Sequence, residues 1–178
     1  WRCWPERHKS AMRSDEQETA NARSIQGDLI KLALAGKFDV IIHGCNCMCV
    51  MGAGIAKSIK DTFPEAYEAD CATPKGERSK LGTISTAKVE RGGHAFTVVN
   101  AYTQFHWHGE KPLADYDAIR SAMREVAKQF AGQRIGYPRV GAGLAGGDWD
   151  SIKRIIDEEL VDQDHTLVEF DPAIMKAR

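Results

Sequence analysis

A chain of 178 residues with 43% hydrophobic and 28% charged side chains has the size and make-up of one globular domain with a closed core. Its 24 lysines and arginines offset 25 aspartates and glutamates to a net charge of -1, which excludes a general pull toward nucleic-acid backbones and leaves only local patches for that role. No apolar run approaches the ~18 residues of a membrane helix, and no apolar segment follows a basic start as in a signal peptide, so neither a membrane span nor a secretory leader is expected.

Residues 1–22 carry two tryptophans without sustained periodicity, then a polar run. They are expected to form an appended or poorly ordered tail, the alternative being an arm packed on the domain through Trp1 and Trp4. Residues 23–178 read as a single domain. Val40-Ile41-Ile42 is a β-branched run without polar alternation, as in a strand buried on both faces. Ala53 to Phe63 reads as a helix stopped before Pro64. Ile84–Val89 and Ala95–Ala101 read as strands joined by a Glu90-Arg91-Gly92-Gly93 turn. Tyr116, Ile119, Met123, Val126 and Phe130 form the stripe of an amphipathic helix capped by Asp115 or Asp117. A strand Arg134–Tyr137, a helix opening at Asp148 with Trp149, Ile152, Ile156 and Leu160 on one face, and a strand Thr166–Phe170 complete the chain. Strands interleaved with helices predict an α/β fold, a three-layer α/β/α sandwich around a mixed central sheet. Such sheets bind ligands at the carboxyl ends of their strands.

The unusual residues cluster at those ends. His43-Gly44-Cys45-Asn46 leads into a loop that reaches Met51-Gly52-Ala53-Gly54-Ile55-Ala56, between a buried strand and a helix. Pro138-Arg139-Val140 leads into Gly141-Ala142-Gly143-Leu144 and on to Asp148, again from strand to helix. Two glycine-rich strand-to-helix loops in one small domain suggest a ligand with more than one phosphate, cradled by backbone amides. Neither the P-loop pattern nor a complete dinucleotide fingerprint is present. Cys45, Cys47 and Cys49 lack the usual metal-ligand spacing, so they are expected to pack as small apolar groups, with no metal and no cofactor. Five cysteines with this clustering form no sensible disulfide ladder, so a reducing cytoplasm is the expected home.

Gly27-Asp28-Leu29, IIHGCN with MGAGIA, VVNAYTQ and YPRVGAGLAGGDW together resemble the macro domain family over about residues 25–170. The resemblance is greatest to the branch, found in bacteria and phages, that processes ADP-ribose 1''-phosphate. It implies that Asp28, with Leu29 beside it, meets the adenine, and that Asn46 holds the distal ribose. It implies that Gly52, Ala53, Gly54 and Ile55 form one diphosphate loop and Gly141, Ala142, Gly143 and Leu144 the other. Tyr102 and Gln104 belong to the family-like NAYTQ and are expected to line the cleft, and Arg139 to meet phosphate or solvent. The implied activity is hydrolysis of ADP-ribose 1''-phosphate to ADP-ribose and phosphate by a monomer. The alternatives are an ADP-ribosyl hydrolase acting on a modified protein or nucleic acid, and a non-catalytic ADP-ribose-binding module.

The chain departs from the family at informative places. His43 stands where most members carry asparagine; histidine there is a trait of the phosphatase-like branch. A related deacylating branch uses an aspartate directly after the second loop together with a distant lysine, and here that position is Ala145. The aromatic that stacks near the distal ribose is absent, leaving Trp149, Tyr102 or Phe105 as replacements. His43 is therefore either the general acid or water-orienting group, or a cap on backbone groups. Asp148 is the other candidate catalytic group, and also has the position of a helix N-cap. His106, Trp107 and His108 form a polar-aromatic loop beside the expected cleft, suited to covering adenine or meeting a macromolecular substrate.

Overall fold

The computed structural model describes residues 23–175; the tail expected over residues 1–22 lies outside them. Strands β1 (Arg23–Gly27), β2 (Val40–Asn46), β3 (Ile84–Arg91), β4 (His94–Gln104), β5 (Arg134–Tyr137) and β6 (Asp164–Phe170) form one sheet in the order β1-β6-β5-β2-β4-β3. The β3–β4 hairpin is antiparallel and every other pairing is parallel, so the sheet is mixed, as expected. Helices α1 (Leu29–Leu34), α2 (Gly54–Thr62) and α3 (Pro64–Cys71) cover one face, and α4 (Tyr116–Gln129) and α5 (Trp149–Glu159) the other.

Strand β2 shows why this layering holds. Ile41 packs with Leu29, Ile59 and Phe63 under α1–α3, whereas Val40 and Ile42 pack with Ile119, Met123, Ile152 and Ile156 under α4 and α5. Side chains alternate across a strand, so an unbroken β-branched run fills both cores. Each such fully buried side chain contributes about 1.5–3 kcal/mol.

Of the two capping candidates for α4, Asp115 takes the role, its carboxylate accepting from the Ala118 amide at 2.8 Å. Asp148 caps α5 through the Ser151 amide at 3.0 Å. Two elements depart from the sequence reading. Pro64 does end the helix before it, but it also opens α3, since its missing N–H costs nothing in the first helical turn. Strand β4 runs on to Gln104, because Tyr102 and Gln104 pair with Cys45 and Asn46 across a register shift in β2. No helix among the described residues is long and apolar enough to cross a membrane.

Candidate functional site

A cleft of about 840 Å³ lies across the carboxyl ends of β6, β5, β2 and β4. The sheet order sets its direction. Phe170, ending β6, stands at one end; Arg139 follows β5; Asn46 ends β2; and Gln104, ending β4, stands with Trp107 at the other end. The two glycine-rich loops form its walls and meet at Leu144, which lies 3.3 Å from where a Cβ on Gly54 would sit.

The first loop presents the start of α2. Its cap residue, Ala53, offers no side-chain acceptor, and its first turn holds no acidic residue. By contrast α1, α4 and α5 are each capped by an aspartate carboxylate. The leading amides of a helix have no intrahelical acceptor, so an uncapped helix start lining a cleft favours an anion. Gly54, at φ 57, takes a left-handed conformation that a side chain would disfavour. The second loop turns back on itself: the Gly147 amide donates to the Gly141 carbonyl at 2.9 Å, and a Cβ on Gly147 would approach that oxygen to 2.7 Å.

Several expected site residues come together here. Asn46, Gly52, Ala53, Gly54, Ile55, Gln104, Arg139, Gly141, Gly143 and Leu144 all line the cleft. Asn46 works within its own loop: Nδ2 donates to the Val50 carbonyl at 2.8 Å, and Oδ1 accepts from the Met48 amide at 2.9 Å and the Val50 amide at 3.4 Å. Arg139 donates to the Glu169 carboxylate at 3.0 Å. Ala142 packs partly against the core under α4 and α5. Asp28 follows β1, beside the cleft's Phe170 end, and caps α1 through the Ile30 and Lys31 amides at 2.9 and 3.2 Å, while Leu29 is buried in the core.

The remaining ones stand apart from the cleft lining. His43 lies on the α1–α3 side of the sheet, wholly buried, where its Nε2 donates to Asn100 Oδ1 at 2.7 Å. Alternation along β2 sends it to the same side as Ile41, under the sheet rather than into the opening. Tyr102 is buried on that side too, its hydroxyl donating to Asp70 Oδ1 at 2.9 Å. Asp148 is committed to α5, and its hydrogen bonds with Ser151 hold its carboxyl below the usual aspartate range. Among the aromatic replacements, Trp149 packs against the core, Phe105 lies 4.0 Å beneath the Arg78 guanidinium and Tyr102 is buried; the aromatics that line the cleft are Trp107 and Phe170.

Behind the first loop lies a group that the sequence reading missed. Lys80 is the one buried lysine or arginine among the described residues. Its ammonium meets Asp70 Oδ1 at 3.0 Å, with side chains 2% and 1% exposed, and approaches Cys49 Sγ at 3.3 Å and the Tyr102 ring centroid at 4.2 Å. Cys49 precedes the cleft-lining Val50, so the buried charge sits one residue behind the cleft wall. A lysine in RSKLG before a strand reads as a surface residue. Only the long-range contacts reveal it. Cys45 and Cys47 pack with Met51 and Tyr102 as small apolar groups, and burial pushes both thiols up. Among the described residues no group of three or more His, Cys, Asp or Glu side chains could hold a metal ion.

The setting of His43 has a measurable consequence. Burial lowers its pKa to about 4, below the 6.5 expected in the unfolded chain. The fold therefore holds the neutral ring, and this stability is present above pH 6.5 and lost as pH falls toward 4. The loss is about 3 kcal/mol by linkage. Melting temperatures measured across that window should fall, and His43→Gln should flatten part of the decline.

The macro domain model matches residues 42–156. The chain is 34% identical over 156 residues to an uncharacterised 17.5 kDa protein of Enterobacteria phage T4, covering 84% of this chain and 97% of that one. It is 28% identical over 131 residues to the DNA ADP-ribosyl glycohydrolase of Mycobacterium tuberculosis, 72% of this chain but 35% of that one, so it spans about a third of that relative's length. It is 30% identical over 140 residues to the ADP-ribose 1''-phosphate phosphatase of Chaetomium globosum, 66% of this chain and 74% of that one. A Bacteroides thetaiotaomicron protein of known structure superposes with a TM-score of 0.69 at 28% identity, over 83% of this chain and 97% of that one. Strand order, paired glycine-rich loops and these matches define an α/β/α sandwich with a nucleotide-type cleft at its strand ends. The chain belongs to the macro domain family. Its relatives divide between phosphatases and glycohydrolases, so the phosphatase branch expected from the sequence is not singled out.

Proposed function

We propose that the domain binds ADP-ribose and hydrolyses the bond joining its distal ribose to a macromolecule. The C1''–O or C1''–N bond breaks, water adds at C1'', and the released macromolecular group takes up a proton. Adenine would occupy the Phe170 end beside Asp28, the diphosphate the two glycine-rich loops, and the distal ribose the Asn46 end. The observation that carries this reading is the character of that last end. It opens toward the Trp107 loop, and the groups expected from the sequence to handle a phosphomonoester are not free there: His43 is sealed beneath the sheet, Arg139 is paired with Glu169, and Asp148 caps α5 outside the cleft lining. The glycohydrolase relatives of Mycobacterium and Thermus favour the same reading. Asn46, Gln104 and Trp107 line this end, and the Lys80–Asp70 pair lies behind Cys49. A lysine is also what the related deacylating branch employs, although its aspartate is replaced here by Ala145.

Hydrolysis of ADP-ribose 1''-phosphate is the second reading, favoured by the Chaetomium and Candida phosphatases among the relatives. The test is parallel incubation with an ADP-ribosylated single-stranded oligonucleotide, an ADP-ribosylated peptide and ADP-ribose 1''-phosphate. Release of ADP-ribose from either macromolecule is the expected result. Phosphate release alone would establish the second reading, and binding of ADP-ribose without any turnover would make the domain a binding module.

A further inference from the structure

The reading above leaves open which macromolecule carries the ADP-ribose, and the loop after β4 bears on that choice. Among the described residues, Trp107, Leu144, Val161 and Phe170 are the large hydrophobics left exposed, and all but Val161 line the cleft. Leu144 belongs to the second diphosphate loop and Phe170 to the opposite end. Trp107, 52% exposed, is the one at the end where a substituent on C1'' would emerge.

Its loop is held at both ends. The Cys47 amide donates to the Phe105 carbonyl at 3.0 Å, and the Leu113 amide donates to the Ala145 carbonyl at 2.8 Å. The segment thus bridges the two glycine-rich loops, and the Gln104 side chain steadies its start by donating to the His106 carbonyl at 2.8 Å. On this strap three rings cluster: His106 and His108 have centroids 3.9 Å apart, and Trp107 stands edge-on to His108 at 4.5 Å. Cations flank them. Arg78 lies over Phe105 at the start of the strap, and near its end the Lys111 side chain comes within 3.0 Å of where a Cβ on Gly146 would lie. Lys75 precedes Gly76, which packs near Met48 of the first loop. None of Lys75, Arg78 and Lys111 is ion-paired among the described residues; the acids of the same segments are Glu77 and Glu110.

We infer that this strap is a platform for single-stranded DNA, Trp107 stacking a base of the strand that carries the ADP-ribose while Arg78, Lys75 and Lys111 meet its phosphates. An exposed aromatic flanked by unpaired cations is the arrangement that holds single strands without reading their sequence. The DNA glycohydrolase relatives make DNA the strand to test.

The inference rests on the hydrolase reading, and its test separates the two. Compare wild type, Trp107→Ala, Trp107→Phe and Arg78→Ala on an ADP-ribosylated single-stranded oligodeoxynucleotide and on an ADP-ribosylated peptide. Trp107→Ala should lower kcat/KM on the oligonucleotide roughly five- to one-hundred-fold, much more than on the peptide, with Trp107→Phe recovering most of the loss. Arg78→Ala should reduce the salt dependence of binding by about 0.7 in logarithmic slope. Equal losses on both substrates, or none on the oligonucleotide, would overturn the platform. If wild type turns over neither substrate, the hydrolase reading fails. The platform then stands or falls on an unmodified oligodeoxynucleotide: quenching of tryptophan fluorescence that disappears in Trp107→Phe supports it, and no Trp107-dependent quenching overturns it.

Discussion

Replacing Asp70 with alanine should lower the unfolding free energy by about 3–5 kcal/mol, because it strands a buried ammonium. Lys80 loses its counter-ion in a site where its side chain is 2% exposed, and the Tyr102 hydroxyl loses its acceptor. For a chain of this length that corresponds to a fall in melting temperature of roughly 6–20 °C. Lys80→Met should be similarly damaging, since it leaves the carboxylate uncompensated. The double replacement Asp70→Leu with Lys80→Met should recover most of the stability, because an apolar pair spares both desolvation costs. That double variant is also the most informative one for function. A stable domain that binds ADP-ribose but has lost turnover would show that the reaction depends on the buried pair itself. A stable and fully active one would confine Lys80 to holding the fold. Thermal unfolding and single-turnover assays on the four proteins decide the matter.

The second large effect is expected at Asn46. Its amide makes three hydrogen bonds that close the turn from Asn46 to Val50. Within that turn Cys49 sits at φ 56, a conformation that non-glycine residues adopt only when the surroundings enforce it. Asn46→Ala removes the brace, so the loop should relax and the start of α2 should no longer meet the diphosphate in a fixed geometry. Losing two or three such bonds at about 1 kcal/mol each corresponds to roughly a 30- to 150-fold weaker ADP-ribose affinity. Calorimetric titration measures this directly. Unchanged affinity would mean that the loop keeps its shape without the asparagine, and that the diphosphate cradle is set by its glycines alone.

The features legible in the sequence were those written in local signals. The stripe of Tyr116, Ile119, Met123 and Val126 announced α4 with a cap at Asp115 or Asp117, Asp148 announced the opening of α5, and the β-branched run at Val40 a strand facing two cores. Each depends on residues a few positions apart, so period and capping chemistry are enough. The glycine-rich loops were legible for a similar reason: a strand that ends in glycines before a helix exposes amides wherever it occurs. Helix α3 escaped because its buried positions are Ala66 and Asp70, too small or too polar to draw an apolar stripe.

By itself, then, the sequence determined the class of fold, the two glycine-rich strand-to-helix loops and the end of the sheet where they meet. The tertiary structure decided which polar residues could take part. In the sequence His43, at a strand end, stands out as a candidate catalytic group, and Lys80, in a turn, does not stand out at all. The side of the sheet that His43 occupies follows from the register of β2, and Lys80 acquires its meaning from Asp70, ten residues away, and from Cys49, 31 residues away. Burial and charge pairing are set by such distant contacts, and no local pattern encodes them.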